Sequence, residues 1–232
     1  MKNAILMASG LGTRMKPLTD TTPKPLIMVN DKPMIETVIE SLVGCGVDNI
    51  YVVVGYLGEQ FDYLTDKYSN LKIIKNNDYM TVNNISSIYS ARQELKTGDC
   101  YICEADLFVS NPEIFKDEPE FSCYFGKMVE GHSEDWVFDL DLDNYISRVG
   151  KVGDDCYNMS GIAFFKQKEA EILADKIEET YHTEGFETLF WDDVVDRNLD
   201  ELKLRVFPIP SDSIVEIDTV EELEVVRKRF GR

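Results

Sequence analysis

Leu6-Met7-Ala8-Ser9-Gly10-Leu11-Gly12-Thr13-Arg14-Met15-Lys16-Pro17, followed by Pro23-Lys24-Pro25-Leu26, is the stretch on which the fold turns. The apolar run Ala4 to Ala8 reads as a buried strand. It empties into a loop that carries two glycines, one arginine and then, ten residues further on, one lysine between prolines. Gly10 and Gly12 let the backbone turn tightly and bring N–H groups to phosphate oxygens, while Arg14 and Lys24 supply charge that persists at neutral pH. The stretch predicts a cradle for a nucleoside triphosphate.

Spacing disfavours two better-known phosphate loops. A dinucleotide fingerprint needs a third glycine where Met15 stands, and Pro17 forbids an immediate long helix. A Walker loop needs four residues between its glycines and a Gly-Lys-Ser/Thr ending, whereas here one residue separates the glycines and Lys24 lies far downstream.

Strand and helix signals alternate outward from the loop. Strands are expected at Ala4–Ala8, Ile50–Val54, Leu71–Lys75 and Cys100–Ala105, and helices at Pro33–Gly44, Leu57–Lys67 and Asn84–Leu95. That alternation predicts an α/β fold, a mostly parallel sheet flanked by helices, with ligands beyond the carboxyl ends of the strands. Beyond Asn111 the pattern turns strand-rich: Phe121–Lys127, Asp135–Asp139, Tyr145–Val149 and Tyr157–Phe165, with a turn at Val152-Gly153-Asp154-Asp155. Helices at Gln167–Tyr181 and Thr188–Asn198, a strand at Leu202–Phe207 and a helix at Val220–Phe230 follow. One domain is expected over 1–232, with 1–110 binding the nucleotide and 111–232 the acceptor.

Composition bounds the partners. The 232 residues, 44% hydrophobic, can bury a sizeable core. A net charge of -19 argues against nucleic acid and anionic membrane; the acidity suits a small substrate with a cationic end and equally suits solubility alone. The first residues lack the apolar length of a signal peptide and no run reaches membrane-spanning length, so a cytoplasmic protein is expected. The five cysteines are odd in number and sit in apolar contexts, which reads as reduced core thiols. His132 and His182 fall in polar segments and are assigned no role.

Two acids and two tryptophans complete the candidates. Glu104-Ala105-Asp106 follows a buried run and so places Asp106 at a strand end, and Glu216-Ile217-Asp218 repeats the arrangement late in the chain. Magnesium favours one or two carboxylates plus substrate phosphates. Trp136 and Trp191 each have carboxylates beside them; with Phe190 they suit a cage for a quaternary ammonium, although tryptophans in a chain of this size more often form core or cleft walls. Asn83 and Asn84 read as helix caps or as substrate contacts.

The glycine loop with Arg14 and Pro23-Lys24 resembles the L-x-[AG]-G-x-G-[ST]-R…P-K signature of the sugar-phosphate nucleotidyltransferase superfamily, with Ser9 a slight departure. Gly55 to Leu64, Asn83-Asn84 with Ser87, Trp136, Ser160-Gly161, Phe190-Trp191-Asp192 and Glu216-Ile217-Asp218 extend the resemblance to the bacterial CTP:phosphocholine cytidylyltransferases. The resemblance implies CTP and phosphocholine as partners and Mg2+ as cofactor, held by Asp106 and Asp218. It implies Arg14 and Lys24 as catalytic cations, and nucleotide contacts from Leu6, Ala8, Ser9, Gly10, Leu11, Gly12, Thr13, Gly55 and Asn83. Acceptor contacts are implied for Trp136, Phe190, Trp191, Asp192 and Glu216, although Phe190 lacks the hydroxyl of the tyrosine often found there. The lysine motif that hexose-phosphate members use is not evident. Two other readings stand beside this one: a nucleotidyltransferase for another small phosphate, such as a sugar or polyol phosphate, and a silent nucleotide-binding regulatory module.

Overall fold

The structure is a computed structural model and describes residues 1–231. β1 (Lys2–Ala8) turns Ala4, Leu6 and Ala8 toward one core and Ile5 toward another. A strand covered on both faces has no polar side to show, hence its continuous apolar run. After the glycine loop come the short antiparallel strands β2 (Met28–Val29) and β3 (Lys32–Pro33), then α1 (Met34–Gly44) and β4 (Asn49–Val54). The first half ends with α2 (Tyr63–Lys67), β5 (Leu71–Lys75), α3 (Ile85–Ser90), α4 (Arg92–Leu95) and β6 (Asp99–Glu104). β7 (Leu107–Val109) leads to two long strands, β8 (Cys123–Leu140) and β9 (Ile146–Phe165). The chain closes with α5 (Gln167–Thr180), α6 (Trp191–Asp196), β10 (Arg205–Pro208), β11 (Ile214–Glu216) and α7 (Val220–Phe230).

The seven-stranded sheet runs β10-β8-β9-β6-β1-β4-β5. β1 is parallel to β4 and β6, β4 to β5 and β10 to β8, whereas β9 is antiparallel to β6 and β8. The mostly parallel mixed sheet expected from the alternation is therefore borne out. The chain leaves β1 for β4 on one side and returns later as β6 on the other, so a crevice opens at the carboxyl end of β1, where the glycine loop begins.

Several boundaries differ from expectation. Leu57, at φ 49, is left-handed and Gly58–Phe61 is a 3-10 turn, so only α2 survives of the helix expected over Leu57–Lys67. The helix expected over Asn84–Leu95 breaks at the buried Ala91. Four expected strands merge into β8 and β9, because register shifts let Val137 and Phe138 pair with Gly150 and Val149 on one side and with Asn158 and Tyr157 on the other. Val152-Gly153-Asp154-Asp155 is an irregularity within β9, with positive φ at Val152 and Asp155, and not a turn between strands. Phe186–Thr188 forms its own 3-10 turn and Phe190 is extended, which shortens the expected Thr188–Asn198 helix to α6. The last sheet strand starts at Arg205 rather than Leu202, and the pair β7 and β11 was not anticipated.

Candidate active site

The β7 and β11 pair is what brings the distant acids together. Glu216 stands opposite Leu107 in antiparallel register, so Asp106, just before β7, and Asp218, just after β11, arrive at one place. Ala105 and Ile217 are fully buried and hold the two turns in place. Glu222, in the first turn of α7, accepts hydrogen bonds from the backbone N–H of Asp218 at 2.7 Å and of Thr219 at 2.9 Å, while Thr219 Oγ1 accepts from Glu222 N–H. This reciprocal capping fixes Asp218 relative to α7.

Lys24 lies between the acids. Its Nζ donates to Asp106 Oδ2 and to Asp218 Oδ1, each at 2.6 Å, and its side chain is only 8% exposed. Arg14 reaches Asp218 Oδ1 at 2.7 Å from the solvent side. Gly12, at φ 61, packs so closely that a Cβ there would lie 2.8 Å from Lys24 Cβ; the glycine is needed both for the left-handed turn and to let the lysine stem pass. Met7, Ala8, Gly10, Gly12, Thr13, Arg14, Lys24, Asp106 and Asp218 line one hollow of about 250 Å³.

That hollow opens into a cleft of about 1050 Å³. Its floor is polar: Ser9 Oγ donates to Val53 O at 3.0 Å, Ser87 Oγ donates to Ser9 Oγ at 3.3 Å, and Asn76 Nδ2 donates to Ser86 Oγ at 2.8 Å. Leu11 and Asn83 line the same wall. Asn83 and Asn84 make no cap for α3; Asn83 Nδ2 donates to Thr188 O at 3.2 Å and Asn84 Oδ1 accepts from Trp191 N–H at 3.0 Å, which ties the start of α6 to this wall. In the same cleft Trp136 and Phe190 meet edge to face at 5.4 Å, and Glu134, Asp135, Lys151 and Asn158 also line it.

Four carboxyl groups crowd the centre. Oxygens of Asp106, Glu216 and Asp218 lie within 4.8 Å of one another, a hard-donor set of the kind Mg2+ takes, and Lys24 seated between two of them shows that the spot attracts a cation. Burial and the neighbouring Asp106 and Glu216 charges push Glu104 well above the usual carboxylate range. Burial together with Asp106 and Asp218 raises Glu216 to about 7. Burial pulls the Lys24 ammonium down, but Asp106 and Asp218 outweigh it and hold the pKa above its ordinary value.

Not every residue singled out from the sequence faces this cleft. Leu6 is fully buried in the core. Gly55 stands one layer back, where its missing side chain makes room for the ring of Tyr79, which does line the cleft. Trp191 is 3% exposed and stacks on Tyr124 at 5.7 Å, so it is a core residue and not a cage wall. Asp192 is likewise buried and accepts the Tyr124 hydroxyl at 2.9 Å. Asn76, Tyr79, Lys127, Lys151 and Asn158 were missed; scattered single polar residues on strands and loops carry no spacing that marks a site.

Asp192 has a measurable consequence for stability. Burial raises its pKa to about 7 against the partial relief of the Tyr124 hydroxyl. The folded state therefore keeps a proton that the unfolded chain has lost above pH ~4, and stability should fall with rising pH, by about 1 kcal/mol per unit, between pH ~4 and ~7. Urea unfolding across that window should give a flatter profile for Asp192→Asn than for the wild type; parallel profiles would refute the buried acid's role.

The comparisons with known proteins agree with this geometry. Residues 4–117 match the family model described as a MobA-like NTP transferase domain. The chain is 52% identical over 221 residues to the 2-aminoethylphosphonate cytidylyltransferase of Lancefieldella rimae, covering 95% of this chain and 90% of that protein. It is 36% identical over 225 residues to the choline-phosphate cytidylyltransferase of Streptococcus pneumoniae, covering 94% of each. The solved structure of a CTP:phosphocholine cytidylyltransferase from Streptococcus pneumoniae superposes with a TM-score of 0.90 at 34% identity, over 98% of both chains.

Proposed function

This chain belongs to the nucleotidyltransferase superfamily, and from that premise we propose that it transfers the cytidylyl group of CTP to a small acceptor bearing a phosphonate or phosphate at one end and a cationic nitrogen at the other. The observation that carries this reading is the convergence of Lys24, Arg14, Asp106 and Asp218 on one hollow that opens toward the acidic, aromatic end of the cleft. A silent module would have no use for that cluster.

The preferred acceptor is 2-aminoethylphosphonate, with phosphocholine as the second reading. The relative named for the former shares 52% of its aligned residues with this chain, and that named for the latter 36%. The cleft supports the same preference: Trp191 lies in the core, and the Trp136 ring already has Lys151 Nζ at 5.8 Å. Glu134, Asp135 and Asn158 offer oxygens that can accept an N–H from a primary ammonium, whereas a quaternary one has no N–H to give and meets the two acids through charge alone. The Trp136 and Phe190 pair is what keeps phosphocholine in play.

In this mechanism a phosphonate oxygen attacks the α-phosphorus of CTP in line; the new P–O bond forms as the bond to the β-phosphate oxygen breaks, and pyrophosphate leaves. The acceptor is ionised at neutral pH, so no protein base is required and catalysis is alignment plus neutralisation of crowded negative charge. Lys24 holds the α-phosphate and Arg14 the departing phosphates, while the backbone of Ser9 to Thr13 cradles the nucleotide. Asp106, Glu216 and Asp218 would hold Mg2+, which when bound supplies Lewis-acid neutralisation of phosphate oxygens.

Pyrophosphate release measured for each nucleoside triphosphate against 2-aminoethylphosphonate, phosphocholine, and sugar and polyol phosphates tests the assignment. CTP with 2-aminoethylphosphonate should be fastest, and a faster sugar phosphate would overturn it. Trp136→Ala should raise the acceptor KM about tenfold, with little change in that for CTP. Equal effects on both would remove Trp136 from the acceptor site.

A further inference from the structure

Asn158 sits in the middle of the doubled ribbon, paired with Lys127 on one side and Val137 on the other, so its backbone is clamped between two passes of β8. Its Nδ2 donates to Asp135 Oδ2 at 3.0 Å. That bond sets the amide: turned over, the amide oxygen would face a carboxylate. The remaining atom, Oδ1, is shielded from solvent and has no hydrogen-bond partner among the described residues. A buried acceptor left unpaired is costly unless a ligand completes it.

Its neighbours fix which part of the acceptor it meets. Lys127, directly across the ladder, lines the same cleft, and its Nζ donates to Ile214 O at 2.7 Å, two residues before Glu216. The carboxylates of Glu216 and Asp135 both bear on that ammonium. From the acid centre outward the order is therefore Glu216, Lys127, then Asn158 with Asp135. A phosphonate at the centre leaves a short chain reaching outward, and the ammonium arrives where an unpaired amide oxygen and a carboxylate meet.

We propose that Asn158 Oδ1 is a specificity determinant that accepts an N–H from a primary ammonium of the acceptor and so selects amino over trimethylammonio substrates. The inference rests on the acceptor class proposed above and adds the atom that reads it. Asp135 supplies charge, which attracts both kinds of ammonium; Asn158 supplies a directed lone pair, which only a nitrogen carrying hydrogen can use.

The test compares 2-aminoethylphosphonate with its N-trimethyl counterpart at saturating CTP. Asn158→Ala should lower kcat/KM for the primary amine about tenfold or more, and leave the trimethyl compound within about twofold, with the CTP KM unchanged. Asp135→Asn should lower both acceptors together. Asn158→Val, whose side chain suits a strand, serves as second variant if Asn158→Ala loses stability. Equal loss for both acceptors, or no loss for either, overturns the role of Asn158 while leaving the acceptor class standing. Wild-type enzyme that turns over neither compound removes the acceptor class, and this inference with it.

Discussion

Lys24→Ala should yield a folded protein whose turnover is lower by about a hundredfold or more, the scale expected when one preorganised charge is removed from a phosphoryl transition state. The lysine is nearly buried and its ammonium bonds to two acids of the site, so the pairing of those acids is what its loss removes. The loss should appear mainly in kcat, because charge that matters most as the α-phosphorus is attacked contributes less to ground-state binding. Lys24→Arg should not restore activity, since a planar fork is longer than the single ammonium that fits between Asp106 and Asp218 at 2.6 Å from each. Near-normal turnover in Lys24→Ala with an unchanged melting temperature would remove Lys24 from the catalytic set.

Asp106→Asn and Asp218→Asn should each cost about a thousandfold in turnover and raise the Mg2+ concentration needed for half-maximal rate, because each removes a charged oxygen from a three-carboxylate set. Asp218 also pairs with Arg14 at 2.7 Å, so its replacement releases that cation as well, while Lys24 keeps its bond to Asp106. The double variant should be scarcely slower than either single one, as for residues that act as a unit. Independent, multiplying losses would mean that the two acids serve separate steps, and an unaltered Mg2+ requirement would place the metal elsewhere.

The parts of this molecule legible in the sequence are those written in consecutive residues. β1 and the glycine loop declare themselves because a run buried on both faces ends in Gly10 and Gly12, and α7 is bounded as expected because its apolar positions recur at helical spacing. Asp106 and Asp218 were found as strand-end acids, but only the β7 and β11 pairing, a contact across more than a hundred residues of chain, explains why they meet. The acceptor end was the least legible. Trp191 and Asp192 carry the composition of a ligand site and yet pack inward against Tyr124, because α6 turns that face to the core. Asn158 and Lys127 face the cleft through a doubled register in β8 and β9 that no local pattern announces.

The reaction itself is read most directly by 31P NMR of the protein with CTP, 2-aminoethylphosphonate and Mg2+. Attack at the α-phosphorus should convert the triphosphate signals into pyrophosphate and a coupled pair from a new phosphonate–phosphate anhydride, in equal amounts, and none of this should appear without the acceptor. Orthophosphate with CDP, or CTP left intact beside the acceptor, would contradict the claim that Lys24, Arg14 and the three acids assemble a cytidylyl-transfer site.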